Sequence, residues 1–258
     1  MAKHLVAFYE NLASATLNGL DVVVDDVVNI PQADRFQVPP EYNAVEWIAA
    51  LGATLARAQL VAPSLEVKRA TCEVIPHERG TIAFNIEGPR LAVFPREVVL
   101  DVGENVQLQA NNTAAGADPV YGLVSLKKPG ALPVAPDGPI IMCRATNAVA
   151  LVANVWNTRT FTLEKELEKG DYALVGFHAW SATGIAARVI IPGLSYRPGV
   201  AMIAGATESV CRDFDPQYLK DSLYEMGRFP STSFPQFQLL ASAADAASQI
   251  VALLVKVA

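Results

Sequence analysis

The sequence matches itself at an offset of about half its length. Val106 to Leu126 reads VQLQANNTAAGADPVYGLVSL, and Phe237 to Val257 reads FQLLASAADAASQIVALLVKV; the two align without a gap at an offset of 131. Seven positions are identical: Gln107/Gln238, Leu108/Leu239, Ala110/Ala241, Ala115/Ala246, Val120/Val251, Leu123/Leu254 and Val124/Val255. Each copy has an apolar run, a loop of small residues and a second apolar run, the pattern of a hairpin-like strand pair. A second block, ATLARAQLVAPSLEVKR from Ala53, lies over ATGIAARVIIPGLSYRP from Ala182 at an offset of 129. Ala53/Ala182, Thr54/Thr183, Ala58/Ala187, Pro63/Pro192 and Leu65/Leu194 are identical there. VVVDDVVN ending at Asn29 sits over ALVANVWN ending at Asn157, and Pro40-Glu41-Tyr42 over Gly170-Asp171-Tyr172. Blocks that keep their order at a nearly constant offset indicate a tandem duplication, with loop insertions absorbing the drift. Each copy then has roughly 125 residues, an ordinary domain size.

Short runs rich in β-branched residues fill both copies. In the first they are Val22–Val28, Val45–Ile48, Ala58–Ala62, Ala70–Ile75, Thr81–Ile86, Val98–Val102, Val106–Ala110 and Tyr121–Leu126. In the second they are Val149–Trp156, Arg159–Leu163, Tyr172–Phe177, Ala187–Ile191, Val200–Ile203, Phe237–Ala241 and Ile250–Val257. Pro, Gly, Asn and Asp separate them, as in Pro39-Pro40 and Glu87-Gly88-Pro89. About eight strands in each ~125 residues predict an all-β chain of two tandem eight-stranded jelly rolls with few short helices. A sandwich with another Greek-key order fits the same count. One helix is expected where Asp215 can cap, Pro216 can open it, Leu219, Leu223 and Met226 share a face and Gly227 can stop it. The expected domains are an N-terminal arm over 1–19, a first jelly roll over 20–126, a Pro-rich linker over 127–139 and a second jelly roll over 140–258. Leu5, Phe8, Tyr9 and Leu12 could give the arm one apolar helical face, packed on its own protein or against a membrane. MAKHLVAFYENLASA lacks the apolar core of a signal peptide.

The chemistry is sparse. The three histidines are His4, His77 and His178, and none has a partner at metal-ligand spacing; His178, between Phe177 and Trp180, reads as a half-buried strand residue. Cys72, Cys143 and Cys211 are far apart and read as small buried hydrophobes, neither a disulfide framework nor a metal site. No GxSxG or HExxH occurs, and Gly193 to Gly199 lacks the lysine of a phosphate loop. Asp21, Asp25 and Asp26 could hold a cation, although Asp25-Asp26 reads more simply as a bulge or turn. Trp47, Trp156 and Trp180 could stack on a sugar, although core packing is the commoner fate of such residues. Glu208, Asp213 and Asp215 are the carboxylates a sandwich enzyme would use, with Asp215 better explained as a helix cap. Glu164 to Glu168 alternates acidic residues with Lys and Leu, as an exposed edge strand or hairpin does. The formal net charge of −6 argues against a surface that coats nucleic acid. No catalytic, cofactor-binding or metal-binding residues are assigned, and no cofactor is expected. A mean hydropathy of +0.26 without a bilayer-length apolar stretch is consistent with apolar surface kept for neighbours.

A tandem of two jelly rolls over about 20–126 and 148–257 resembles the double jelly-roll major capsid proteins of tailless icosahedral viruses, the tectivirus, corticovirus and adenovirus lineage. At this length the chain looks most like the corticovirus and Finnlakevirus type. The resemblance is architectural and no short motif carries it. It implies a homotrimer with a six-sided outline that packs against neighbouring capsomers and other capsid proteins in a virion assembled in the host cytoplasm. It also implies an N-terminal segment facing a membrane or genome, without sequence-specific nucleic-acid binding. The second reading is a two-domain carbohydrate-binding or adhesion protein of a spike or tail.

Overall fold

The computed structural model describes residues 3–24, 33–67, 72–74, 90–113, 116–130, 135–201 and 224–257. The chain divides into two compact units, one running from His4 to Gly130 and the other taking Ala131 to Ala258 with the first three residues.

The first unit comprises β1 (Lys3–Leu12), β2 (Asn18–Gly19), β3 (Asp21–Val22), β4 (Phe36–Gln37), β5 (Ala44–Gly52), β6 (Leu55–Val61), helix α1 (Pro63–Val67), β7 (Cys72–Val74), β8 (Arg90–Val99), β9 (Asn105–Asn112) and β10 (Asp118–Lys127). One sheet has the order β3-β1-β10-β5-β8 and the other β2-β9-β6-β7, with β4 also paired to β9. The second unit comprises β11 (Ile141–Asn147), β12 (Trp156–Arg159), β13 (Thr162–Leu163), β14 (Asp171–Trp180), β15 (Gly184–Ile190), β16 (Gly199–Ala201), β17 (Gly227–Pro230), β18 (Gln236–Ala241) and β19 (Ser248–Lys256). Its sheets run β13-β11-β19-β14-β17 and β12-β18-β15-β16.

Both units have the strand order of a jelly roll. With eight main strands counted along each unit, the sheets read 1-8-3-6 and 2-7-4-5 in both. A two-residue strand, β3 or β13, flanks the first strand in both, so the second strand of each unit turns a corner from one sheet to the other. The first strand lies beside the last: Ile141 pairs with Leu254 and Asn147 with Ser248.

The repeat is also visible in register. Leu108 and Leu239 occupy the same place on strand seven, where they pair with Leu60 and Ala187. Leu60 and Ala187 are therefore equivalent, two residues away from the Ala58/Ala187 match in the sequences. Side chains alternate with a period of two, so a slip of two keeps each on its face and leaves the apolar pattern intact. The flanks keep the offset of 129: Thr54 and Thr183 accept backbone bonds from Thr113 and Ser242, and Leu65 and Leu194 donate to Ala62 and Ile191. A bulge interrupts both β6 and β15 near their first residues.

Five expectations are corrected. Residues 3–12 are neither arm nor helix: β1 is a strand inside its sheet, buried from Lys3 to Phe8. Its apolar residues fall at helical spacing because burial on both faces removes the alternation that marks a half-buried strand. Residues 148–155 form a loop, not the strand expected over Val149–Trp156, and the first strand of that unit is β11. Val98–Val102 straddles the end of β8 and a turn held by the Glu104 carboxylate, whose Oε1 accepts from the Asp101 amide at 2.7 Å. Glu164–Glu168 lies in a loop after β13, where Glu164 meets Arg144 and Glu168 meets Lys256. The expected helix after Asp215 lies outside the described residues up to 223, but its end is corrected: Met226 is not helical and donates to the Leu174 carbonyl, and Gly227, expected as the stop, opens β17 beside β14. The strand over Thr81–Ile86 lies outside the described residues.

Leu239 is fully buried in the core of its unit, among residues from both sheets. Leu239→Ala and Leu108→Ala are each expected to cost about 2–5 kcal/mol of stability, as measured by urea unfolding of the purified chain.

Candidate functional site

The residues singled out in the sequence do not converge. Trp47 is buried on β5, Trp156 begins β12 and Trp180 ends β14, so the three belong to three different sheets. His178 is half-buried on β14 opposite Val251, and His4 is buried on β1. Cys143 is unbridged and buried, and burial followed by the nearby Glu164 charge raises its thiol pKa. Cys72 lies in β7. His77, Asp25, Asp26, Glu208, Cys211, Asp213 and Asp215 lie outside the described residues. Among the described residues, no group of three His, Cys, Asp or Glu side chains is placed to hold a metal.

What the fold does bring together is polar structure around the repeated glutamine. In the first unit Gln107 donates to Asp34 and accepts from Gln109 at 2.7 Å, and Gln59 donates to Gln109 at 3.1 Å. In the second unit Gln238 donates to Thr158 at 3.2 Å and accepts from Arg188 Nε at 2.7 Å. Arg188 is fully buried, with its guanidinium 4.0 Å from the centre of the Trp156 ring. A planar cation stacks well on such a ring when desolvated. One sign of this was legible, a lone charge inside the apolar run AARVII; its partner Trp156 is on another strand and gives no local signal.

A second recurring device ties the turn between strands three and four to the start of strand eight in the first unit and to the loop just before it in the second. Thr54 donates to Asp118 at 2.6 Å, and Ser181 donates to Asp245 at 2.6 Å. The Asp245 carboxylate also accepts the Ala182 amide at 2.7 Å. These bonds hold chain turns in place, which is structural work.

No protein-family model matches the chain, and no curated protein matches it. Among solved structures it is similar to the major capsid protein P2 from bacteriophage PM2, at 9% identity over 99% of this chain and 98% of that one, with a TM-score of 0.26.

One titrating group stands out. Glu10 on β1 has its carboxyl pKa raised, first by burial and then by the negative charge of Asp21 on the adjoining β3. The folded chain thus holds this proton more tightly than the unfolded chain. Stability is fully present below the ordinary carboxyl range and declines as pH rises through the raised folded value. Glu10→Gln is expected to raise the melting temperature at pH 7 and leave it nearly unchanged at pH 3, as read by thermal unfolding.

Proposed function

We propose that this chain is a structural protein of a viral shell, a capsid protein whose three copies form a six-sided capsomer. The observation that carries this reading is the double occurrence of one strand order, 1-8-3-6 and 2-7-4-5, in units of nearly equal size on one chain. A chain with two like barrels fills two like positions in a lattice. Three such chains present six barrels and tile a hexagonal array, so duplication has a direct geometrical use. An interface permanent enough for a shell buries more than ~2,000 Å².

In this reading residues 127–139, with prolines at 129, 133, 136 and 139, join the barrels as a semi-rigid spacer. The capsomers associate with neighbouring capsomers and other capsid proteins in an icosahedral virion of bacteriophage type. Such a protein needs no catalytic centre.

The purified full chain is expected to sediment as three copies, about 83 kDa from a chain of 27.6 kDa, and to show a hexagonal outline in negative stain. A monomer at all concentrations with a bilobed outline would overturn the proposal and favour the adhesion reading.

A further inference from the structure

Of the eleven asparagines in the chain, only Asn18 is followed by glycine. The two residues form β2, the end strand of the order β2-β9-β6-β7 in the first unit. Asn18 is exposed and Gly19 half-buried. An asparagine carboxamide carbon lies within ring-closing reach of the next residue's amide nitrogen, and glycine, with no side chain, hinders that approach least.

The strand ladder leaves this nitrogen out. Asn18 is paired with Ala110 and Gly19 with Gln109, and the Leu20 amide donates to the Leu108 carbonyl at 2.8 Å. Hydrogen-bonded and non-hydrogen-bonded pairs alternate along an antiparallel ladder, so Asn18 and Leu20 turn their amides towards β9 and Gly19 turns its amide away. Because β2 ends the sheet order, no further described strand takes up that N–H.

The sheet also demands the glycine. A Cβ at position 19 would run into the Gln107 carboxamide and lie 2.8 Å from Asp34 Oδ2, the two groups that are hydrogen-bonded to each other on this face. In the second unit Trp156, opposite Leu240, holds the place of Gly19 opposite Gln109, and Val155 precedes it, so the Asn-Gly dipeptide occurs in one copy only. Two buried asparagines show the contrast. Asn112 and Asn157 donate to the carbonyls of Leu12 at 2.6 Å and Val152 at 2.8 Å, and each is followed by threonine. The Asn18 carboxamide donates to the Thr16 carbonyl at 3.0 Å, in an exposed stretch of chain.

We propose that Asn18 is a site of spontaneous modification in the folded chain, with water as the co-reactant. The Gly19 nitrogen gives up its proton to solvent and bonds to Asn18 Cγ. The Cγ–Nδ2 bond breaks and ammonia leaves, which closes a five-membered imide. Water then opens the ring at either carbonyl, restoring one amide and releasing one carboxyl group. The product is aspartate, or isoaspartate in which the main chain runs through Cβ and Cγ. An extended strand holds the nitrogen and the carboxamide apart, so closure proceeds through local opening, and a two-residue strand at a sheet end opens at low cost. Isoaspartate lengthens the main chain by one carbon beside the Asn18–Ala110 pair, and either product adds a negative charge to a formal net charge of −6. This chemistry holds whether or not the chain assembles.

The test holds the purified full chain at mildly alkaline pH and physiological temperature, folded and, in parallel, unfolded in guanidinium chloride. Peptide fragmentation mass spectra locate any gain of one dalton, and enzymatic methylation detects isoaspartate. Isomerisation at Asp137-Gly138 changes no mass, so a gain placed at Asn18 is distinct from it. The expected result is a gain at Asn18 with isoaspartate as a product, at no less than about a tenth of the rate in the unfolded chain. Asn18→Gln is expected to abolish the gain at that position. A folded chain that reacts at Asn18 more slowly than that, or that gains mass first at another asparagine, overturns the proposal.

Discussion

Each unit stands on the apolar contact between its two sheets, and in the second unit this contact centres on Phe237. From β18 its ring meets Phe177 of the opposite sheet at 5.0 Å and Phe161 at 5.6 Å, both edge to face. Phe234, Phe229 and Tyr172 extend the cluster through neighbouring ring contacts. Small sheets are marginal alone, so pairing, bulges and turns hold only while the two inner faces stay together. The first unit achieves close approach partly by omission: a Cβ on Gly122 of β10 would lie 2.1 Å from Leu108 Cδ2. Gly227 plays the same part in the second, with Leu194 Cδ1 at 2.5 Å from where its Cβ would be.

The copies keep what the barrel needs and vary the polar partners on the face of strand seven turned away from the core. The aspartate that receives a hydroxyl from the third turn occurs in both, as does the bulge near the start of strand four. On the outer side of strand seven the repeated glutamine keeps its place, but its company changes from glutamines and Asp34 to Arg188 and Thr158.

Most of the strands and their duplication were legible because burial imposes a period of two, which shows in the sequence as alternation or as unbroken apolar runs. The last two strands, with Leu108/Leu239 inward and Gln107/Gln238 outward, carried the strongest signal. Misreadings came where burial had an unexpected source. β1 looked like an amphipathic helix because both of its faces are covered, which removes the alternation that marks a strand. Val149 to Trp156 looked like a strand because its valines are apolar, although hydrogen bonds from Asn157 and Arg159 bend it into a loop. The exposure of those valines had no sequence signal, since an apolar residue reads as buried until the structure shows otherwise. The Arg188–Trp156 stack needed two strands to be brought side by side.

In the second unit Ile141 and Leu254 are paired neighbours, so the chain enters and leaves that barrel at one spot. A fold with adjacent ends behaves as a cassette. It can be copied head to tail with no strand rethreaded, and the only new part demanded is a short joining piece. Gene duplication therefore meets little topological resistance here, and each copy is afterwards free to drift on its outer surface while its closure is kept.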